Sequence, residues 1–140
     1  MDTPTRTNYT FVDYEDVQEL DLDLIADKAV KVFLVIGQRQ KSLPYALTKQ
    51  VHKYHSQVEL IESEGAGQDA LDLVLAYHVG SQAKTDPHGY FHILAKDKDY
   101  DALIKHLRAH DILASRDDEF SKIPALIAMS RLSLEERVNP

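Results

Sequence analysis

Six aspartates carry the chemistry that this sequence can offer. Asp13 closes the run NYTFVD, Asp69 and Asp72 open QDALDLVL, and Asp97, Asp99 and Asp101 fall within AKDKDYDALI. Carboxylates gathered at one point repel one another unless a cation sits among them, so a convergent set would suit a hard, oxygen-seeking ion. These segments contain neither His nor Cys, which favours Mg2+ or Mn2+ over zinc. Such ions bind phosphates. Two of them about 3.5 to 4 Å apart can activate a water and stabilise the leaving oxygen of a phosphodiester.

Other chemistries are poorly served. The chain has no cysteine, no HExxH, and no Ser, His and Asp arrangement that can be argued from spacing. His52 with His55 and His106 with His110 share helical spacing but lack a third ligand, so they read as solvated helix faces. Gly65-x-Gly67-x-x-Ala70 formally meets a dinucleotide-binding pattern. It follows the third strand, though, and Glu62, Glu64 and Asp69 would repel a pyrophosphate. The glycines are better read as freeing a loop that brings Asp72 inward.

The acids need elements to position them. Tyr9 to Val12 reads as the first strand, ending in Asp13, and VKVFLVI (30–36) as a central one by its β-branched, nearly uninterrupted apolarity. Gln57 to Ile61 and Tyr90 to Leu94 supply two more strands, and Leu113 to Ser115 a short edge strand. Helices are expected from Pro44 to about Tyr54, from Ala70 to about Lys84, and along the stripe Tyr100, Leu103, Ile104, Leu107. Leu20 to Ile25 suggests a short helical or irregular connection, Ile123 to Met129 a further helix, and Ser133 with Glu136 a capping box. Alternating strands and helices predict a mostly parallel sheet of about four or five strands covered on both faces, a three-layer α/β/α sandwich.

In that fold all six acids fall at one edge, where open parallel sheets bind ligands. If the first and fourth strands are neighbours, Asp13 and Asp97 flank the crevice. Acids at helix starts also complement the macrodipole, a simpler role open to Asp69, Asp99 and Asp101. Arg39, Lys41, Lys96 and Lys98 follow strands two and four, so they share that edge and could hold a nucleic-acid backbone.

Composition sets the outer bounds. The 140 residues amount to one domain, and a net charge of −7 excludes a coat protein that binds nucleic acid through a broadly basic surface. No apolar run approaches a membrane span and the first residues do not resemble a secretion signal; with no cysteine, a cytoplasmic location is expected. Residues 1–8 read as a flexible leader, 9–120 as the domain, and 121–140 as a helical extension that covers the core or pairs two subunits.

Three motifs in order resemble the PIN-like nuclease superfamily, close to its NYN branch and to bacterial PIN-like domains with a DYEN-type first motif. They are Phe11-Val12-Asp13-Tyr14-Glu15-Asp16-Val17-Gln18, Gly67-Gln68-Asp69-Ala70-Leu71-Asp72 and Ala95-Lys96-Asp97-Lys98-Asp99-Tyr100. The resemblance implies metal-dependent hydrolysis of RNA, with Asp13, Asp72, Asp97 and Asp99 as catalytic ion-holding carboxylates. Asp16, Asp69 and Asp101 are secondary. Two departures stand out: Asp16 takes a place where such families usually have Asn, and Lys98 replaces a small residue between the paired acids. The expectation is therefore a Mg2+- or Mn2+-dependent endoribonuclease, with single-stranded DNA as a second substrate class. The competing reading is an inactive PIN-like module that binds RNA or a protein through the same edge. A phosphate-accepting receiver-like domain ranks lower, since strand three supplies Glu62 rather than a lone Asp.

Overall fold

The computed structural model describes residues 6–126 apart from 66 and 68. Five parallel strands form one sheet: β1 (Asn8–Asp13), β2 (Val30–Ile36), β3 (Val58–Glu62), β4 (Tyr90–Leu94) and β5 (Leu113–Asp117), in the order β3-β2-β1-β4-β5. Helices α1 (Tyr45–Lys53), α2 (Ala70–Thr85) and α3 (Tyr100–Ala109) form the crossovers, with short 3-10 helices at Leu22–Ile25 and Phe120–Lys122. The chain builds outward from β1 to β3, then returns to β1's other side with β4. The switch point of the sheet therefore lies between β1 and β4, where the sequence reading placed it.

Strand alternation assigns the two faces. Tyr9, Phe11, Val35, Phe91 and Ile93 pack under Leu71, Leu75 and Val79 of α2 and Ile104 and Leu107 of α3. Val12, Val32, Leu34 and Leu94 pack on the other face with Leu22, Ile25, Leu47, Phe120 and Ile123. Both faces are covered, which accounts for strands that are apolar at nearly every position. Aromatic rings reinforce the first face: Phe11 stacks on Phe33 at 4.6 Å and Tyr9 on Phe91 at 5.1 Å. The next residue of β1 on that face is Asp13.

Boundaries differ from the sequence reading where polar residues hide the pattern. β1 begins at Asn8, whose N–H reaches Ala29 O, while Tyr90 N–H reaches Thr7 O, so part of the expected leader is tied to the sheet. β3 starts one residue later than expected, at Val58, the first residue in register with β2. β5 runs two residues further, since Arg116 and Asp117 pair with Ile93 and Leu94. Of the expected helix at Ile123 to Met129, only the stretch to Leu126 lies within the described residues; the capping box at Ser133 lies outside them. No described helix is long and apolar enough to cross a membrane.

Candidate active site

β1 delivers Asp13 to the switch point. Its register pairs Val12 with Leu94, so Asp13 stands where β4 gives way to the loop 95–99. Only 5% of its surface is exposed, because its side chain points into the face roofed by α2 and α3. Burial in that apolar setting pushes the carboxyl up to about 6, helped by the charges of Asp16 and Asp72, while the hydrogen bond from Tyr100 pulls the other way.

Tyr100 ties the site together. The first residue of α3, 4% exposed, places its hydroxyl 2.9 Å from Asp13 Oδ2 and 2.9 Å from Asp72 Oδ1. Two carboxyls thus compete for one phenolic hydrogen. Desolvation and the two carboxylates raise the phenol's own pKa, so it remains a donor. In the sequence Tyr100 belongs to the apolar stripe of α3. A polar tip at the head of such a stripe, facing three acidic motifs, was the signal available.

Asp72 arrives from the first turn of α2. Gly67, with φ of 117°, turns the preceding loop through a conformation that few other residues adopt. The Asp72 carboxyl is raised first by desolvation, then by the charges of Asp97, Asp69 and Asp16. Asp69, exposed at the N-cap of α2, makes no side-chain capping bond.

Asp97 and Asp16 organise the β4 to α3 loop. Asp16 Oδ2 accepts the N–H groups of Lys96 at 2.6 Å and Asp97 at 2.8 Å, and Asp97 Oδ1 accepts the N–H of Asp99 at 2.9 Å. Asp16's own N–H returns to Asp13 Oδ1 at 3.2 Å. The carboxylate read as a secondary ion ligand is thus a clamp that joins the β1 turn to the loop bearing Asp97. Asp99 is exposed at the start of α3. Asp101 is engaged elsewhere: Arg116 Nε donates to it at 2.8 Å, and this bond holds its carboxyl below the usual range. Lys98 contributes to that same lowering, so its charge lies towards Asp101. Lys96, Arg39 and Lys41 are exposed on the loops after β4 and β2.

The charges of Asp16 and Asp72 therefore act on Asp13, and those of Asp97, Asp69 and Asp16 act on Asp72. Among the described residues, no lysine or arginine forms an ion pair with Asp13, Asp16, Asp72 or Asp97. As the side chains stand, no three His, Asp or Glu among the described residues close around a single point. The donor chemistry fits a hard divalent cation: oxygen only, mutually repelling and, among the described residues, without a counter-charge paired to it. The His52–His55 and His106–His110 pairs lie exposed on α1 and α3 and around their ends, as expected.

Beside the loop 95–99, a cavity of about 940 Å3 runs from Asp16 and Lys96 to Pro44 and Leu47 at the start of α1. Glu15, Glu19, Asp21, Asp118 and Glu119 also line it. That flank is acidic, and Lys96 is its one cation among the described residues.

No curated protein and no solved structure matches the chain significantly. The family model for the PIN domain matches residues 7–123, from the start of β1 to the end of the second 3-10 helix. With most of the chain matched and the acids of all three motifs at one sheet edge, the protein belongs to the PIN domain family, whose members are generally nucleases.

Proposed function

We propose that the protein is a Mg2+- or Mn2+-dependent endoribonuclease whose ion-holding carboxylates are Asp13, Asp72 and Asp97, with Asp99 as the outermost donor. The observation that carries this reading is the single Tyr100 hydroxyl within 2.9 Å of both Asp13 and Asp72, two carboxyls brought together across the switch point with no lysine or arginine paired to them among the described residues. A divalent cation held there supplies positive charge that acidifies an attacking water and offsets charge on the scissile phosphate.

The chain's own residues do the rest. Tyr100 holds the carboxyls of Asp13 and Asp72 to one hydroxyl, and Asp16 fixes the loop that presents Asp97. Burial of Asp13 removes water that would otherwise screen it. Arg39, Lys41 and Lys98 would hold the substrate backbone, with Lys96 at the acidic flank. RNA is the favoured substrate, and single-stranded DNA is the second.

The second reading is a non-catalytic module binding RNA through this edge, favoured by the absence of a closed three-acid set among the described residues. Titrating the protein with Mn2+ in the presence of a labelled single-stranded RNA separates the two. The nuclease reading predicts saturable ion binding and cleavage that follows it and stops with chelator. Saturable RNA binding with the strand uncut at every Mn2+ concentration would establish the module instead.

A further inference from the structure

The sheet has a second exposed feature, at its outer edge on the far side of β2 from β1. β3 is an edge strand, paired only with β2. Val32 N–H bonds to Gln57 O and Ser63 N–H to Ile36 O, so in a parallel ladder the backbone groups of Glu59 and Ile61 face β2 while those of Leu60 and Glu62 face outward. Among the described residues nothing hydrogen-bonds to those outward groups. The opposite edge is treated differently: Arg108 Nε donates to Ala114 O of β5 at 2.7 Å.

Apolar surface accompanies the open edge. Leu73 and Tyr77, one turn apart on α2, are 71% and 69% exposed, and Leu60 is 45% exposed. A cavity of about 770 Å3 lies between them, lined also by Val74 and Ile61, and a second of about 550 Å3 continues past Leu60 towards Gln57. Large side chains grouped on an open strand edge mark a binding surface more often than a solvated one.

Charge selects the occupant. Glu59, Glu62 and Glu64 rim the larger cavity, with no lysine or arginine among its lining residues. A second copy would bring six glutamates to one seam, and a nucleic-acid backbone would meet the same repulsion. An extended segment carrying Lys or Arg at alternate positions would pair its backbone with Leu60 and Glu62. It would set its cations beside Glu62 on one face of the sheet and its apolar side chains on Leu73 and Tyr77 on the other.

We propose that the outer edge of β3 with the exposed face of α2 is a docking site for an extended, basic and apolar segment of a partner protein, which joins the sheet as a sixth strand.

Synthetic octapeptides test this: alternating Lys-Val, alternating Glu-Val, and an all-Lys control. They would be titrated against the full chain by fluorescence anisotropy, with amide NMR shifts as a site readout. The Lys-Val peptide should bind, shifting the Leu60 and Glu62 amides. Leu73→Ser with Tyr77→Ser should weaken it by at least about tenfold, as should Glu62→Lys. Those positions are exposed, so a matching thermal midpoint for each variant checks that folding is intact. Three results would overturn the proposal: no Lys-Val binding, all-Lys binding as tight and insensitive to the α2 substitutions, or a dimer of the chain in sedimentation that those substitutions dissolve.

Discussion

At the residue scale, Asp13 is a carboxyl kept in an unfavourable place. Asp13 titrates near 6 when folded and near 3.8 in a free chain. The folded state therefore binds its proton more tightly, and the stability linked to that proton is full below 3.8 and lost as pH rises through about 6. Asp13→Asn removes the charge while keeping the shape. It should stabilise the ion-free protein by about 3 kcal/mol at pH 7.5, with the gain vanishing below pH 4, as read by urea denaturation. His92 works in the opposite sense. Buried at 1% exposure beside Asn8 Oδ1, it is pushed down to about 4 by desolvation, so its contribution is lost as pH falls from 6.5 towards 4. The two effects offset each other in the native protein, and Asp13→Asn should unmask acid lability. Tyr100→Phe should weaken Mn2+ binding and lower cleavage by roughly 10- to 100-fold, as removal of an orienting partner does elsewhere. Isothermal titration reads the first effect independently of the second.

At the scale of elements, the site depends on how β1 and β4 hand their ends to each other. Asp16 spans that junction with one carboxylate oxygen accepting two backbone N–H groups. Asp16→Ala leaves both donors without their partner, costing about 1 to 3 kcal/mol and displacing Asp97. Asp16→Asn retains an accepting oxygen and should preserve Mn2+ affinity where the alanine variant loses it. Equal affinities in the two variants would mean that the clamp plays no part. The strand-order argument and the placement of Asp13, Asp72 and Asp97 were legible in the sequence, because buried strands and acid-tipped turns leave strong patterns. Asp101 was not, since nothing in its spacing announces Arg116 fifteen residues on. Nor was the role of Asp16: which backbone groups a loop acid accepts is decided by the fold, not by its neighbours in sequence. The Tyr100 stripe packs in the core as read, and only the polar tip at its head hinted that its hydroxyl joins the carboxyls.

At the scale of the molecule, the fold class was readable because strands and helices alternate strictly from Asn8 to Asp117. The charge distribution was only partly so. A net charge of −7 sits on a protein whose proposed substrate is an anion, and the cavity beside the site adds acids rather than bases. Few cations are then available for phosphates, namely Arg39, Lys41, Lys96 and Lys98. Single-stranded RNA binding should accordingly show a modest salt dependence, with a log-log slope of about −3 if all four engage. Arg39→Ala with Lys41→Ala should roughly halve that slope. A slope unchanged in the double variant would place the substrate on another surface.

The central claim is that Asp13 is the innermost carboxylate of an ion-dependent phosphodiesterase site. The most direct measurement compares cleavage of a labelled single-stranded RNA by the native protein and by folded Asp13→Asn protein at saturating Mn2+. The account predicts Mn2+-dependent cleavage by the native protein and at least about a hundredfold loss in the variant. Undiminished cleavage in the variant, or none by the native protein at any Mn2+ concentration, would contradict it.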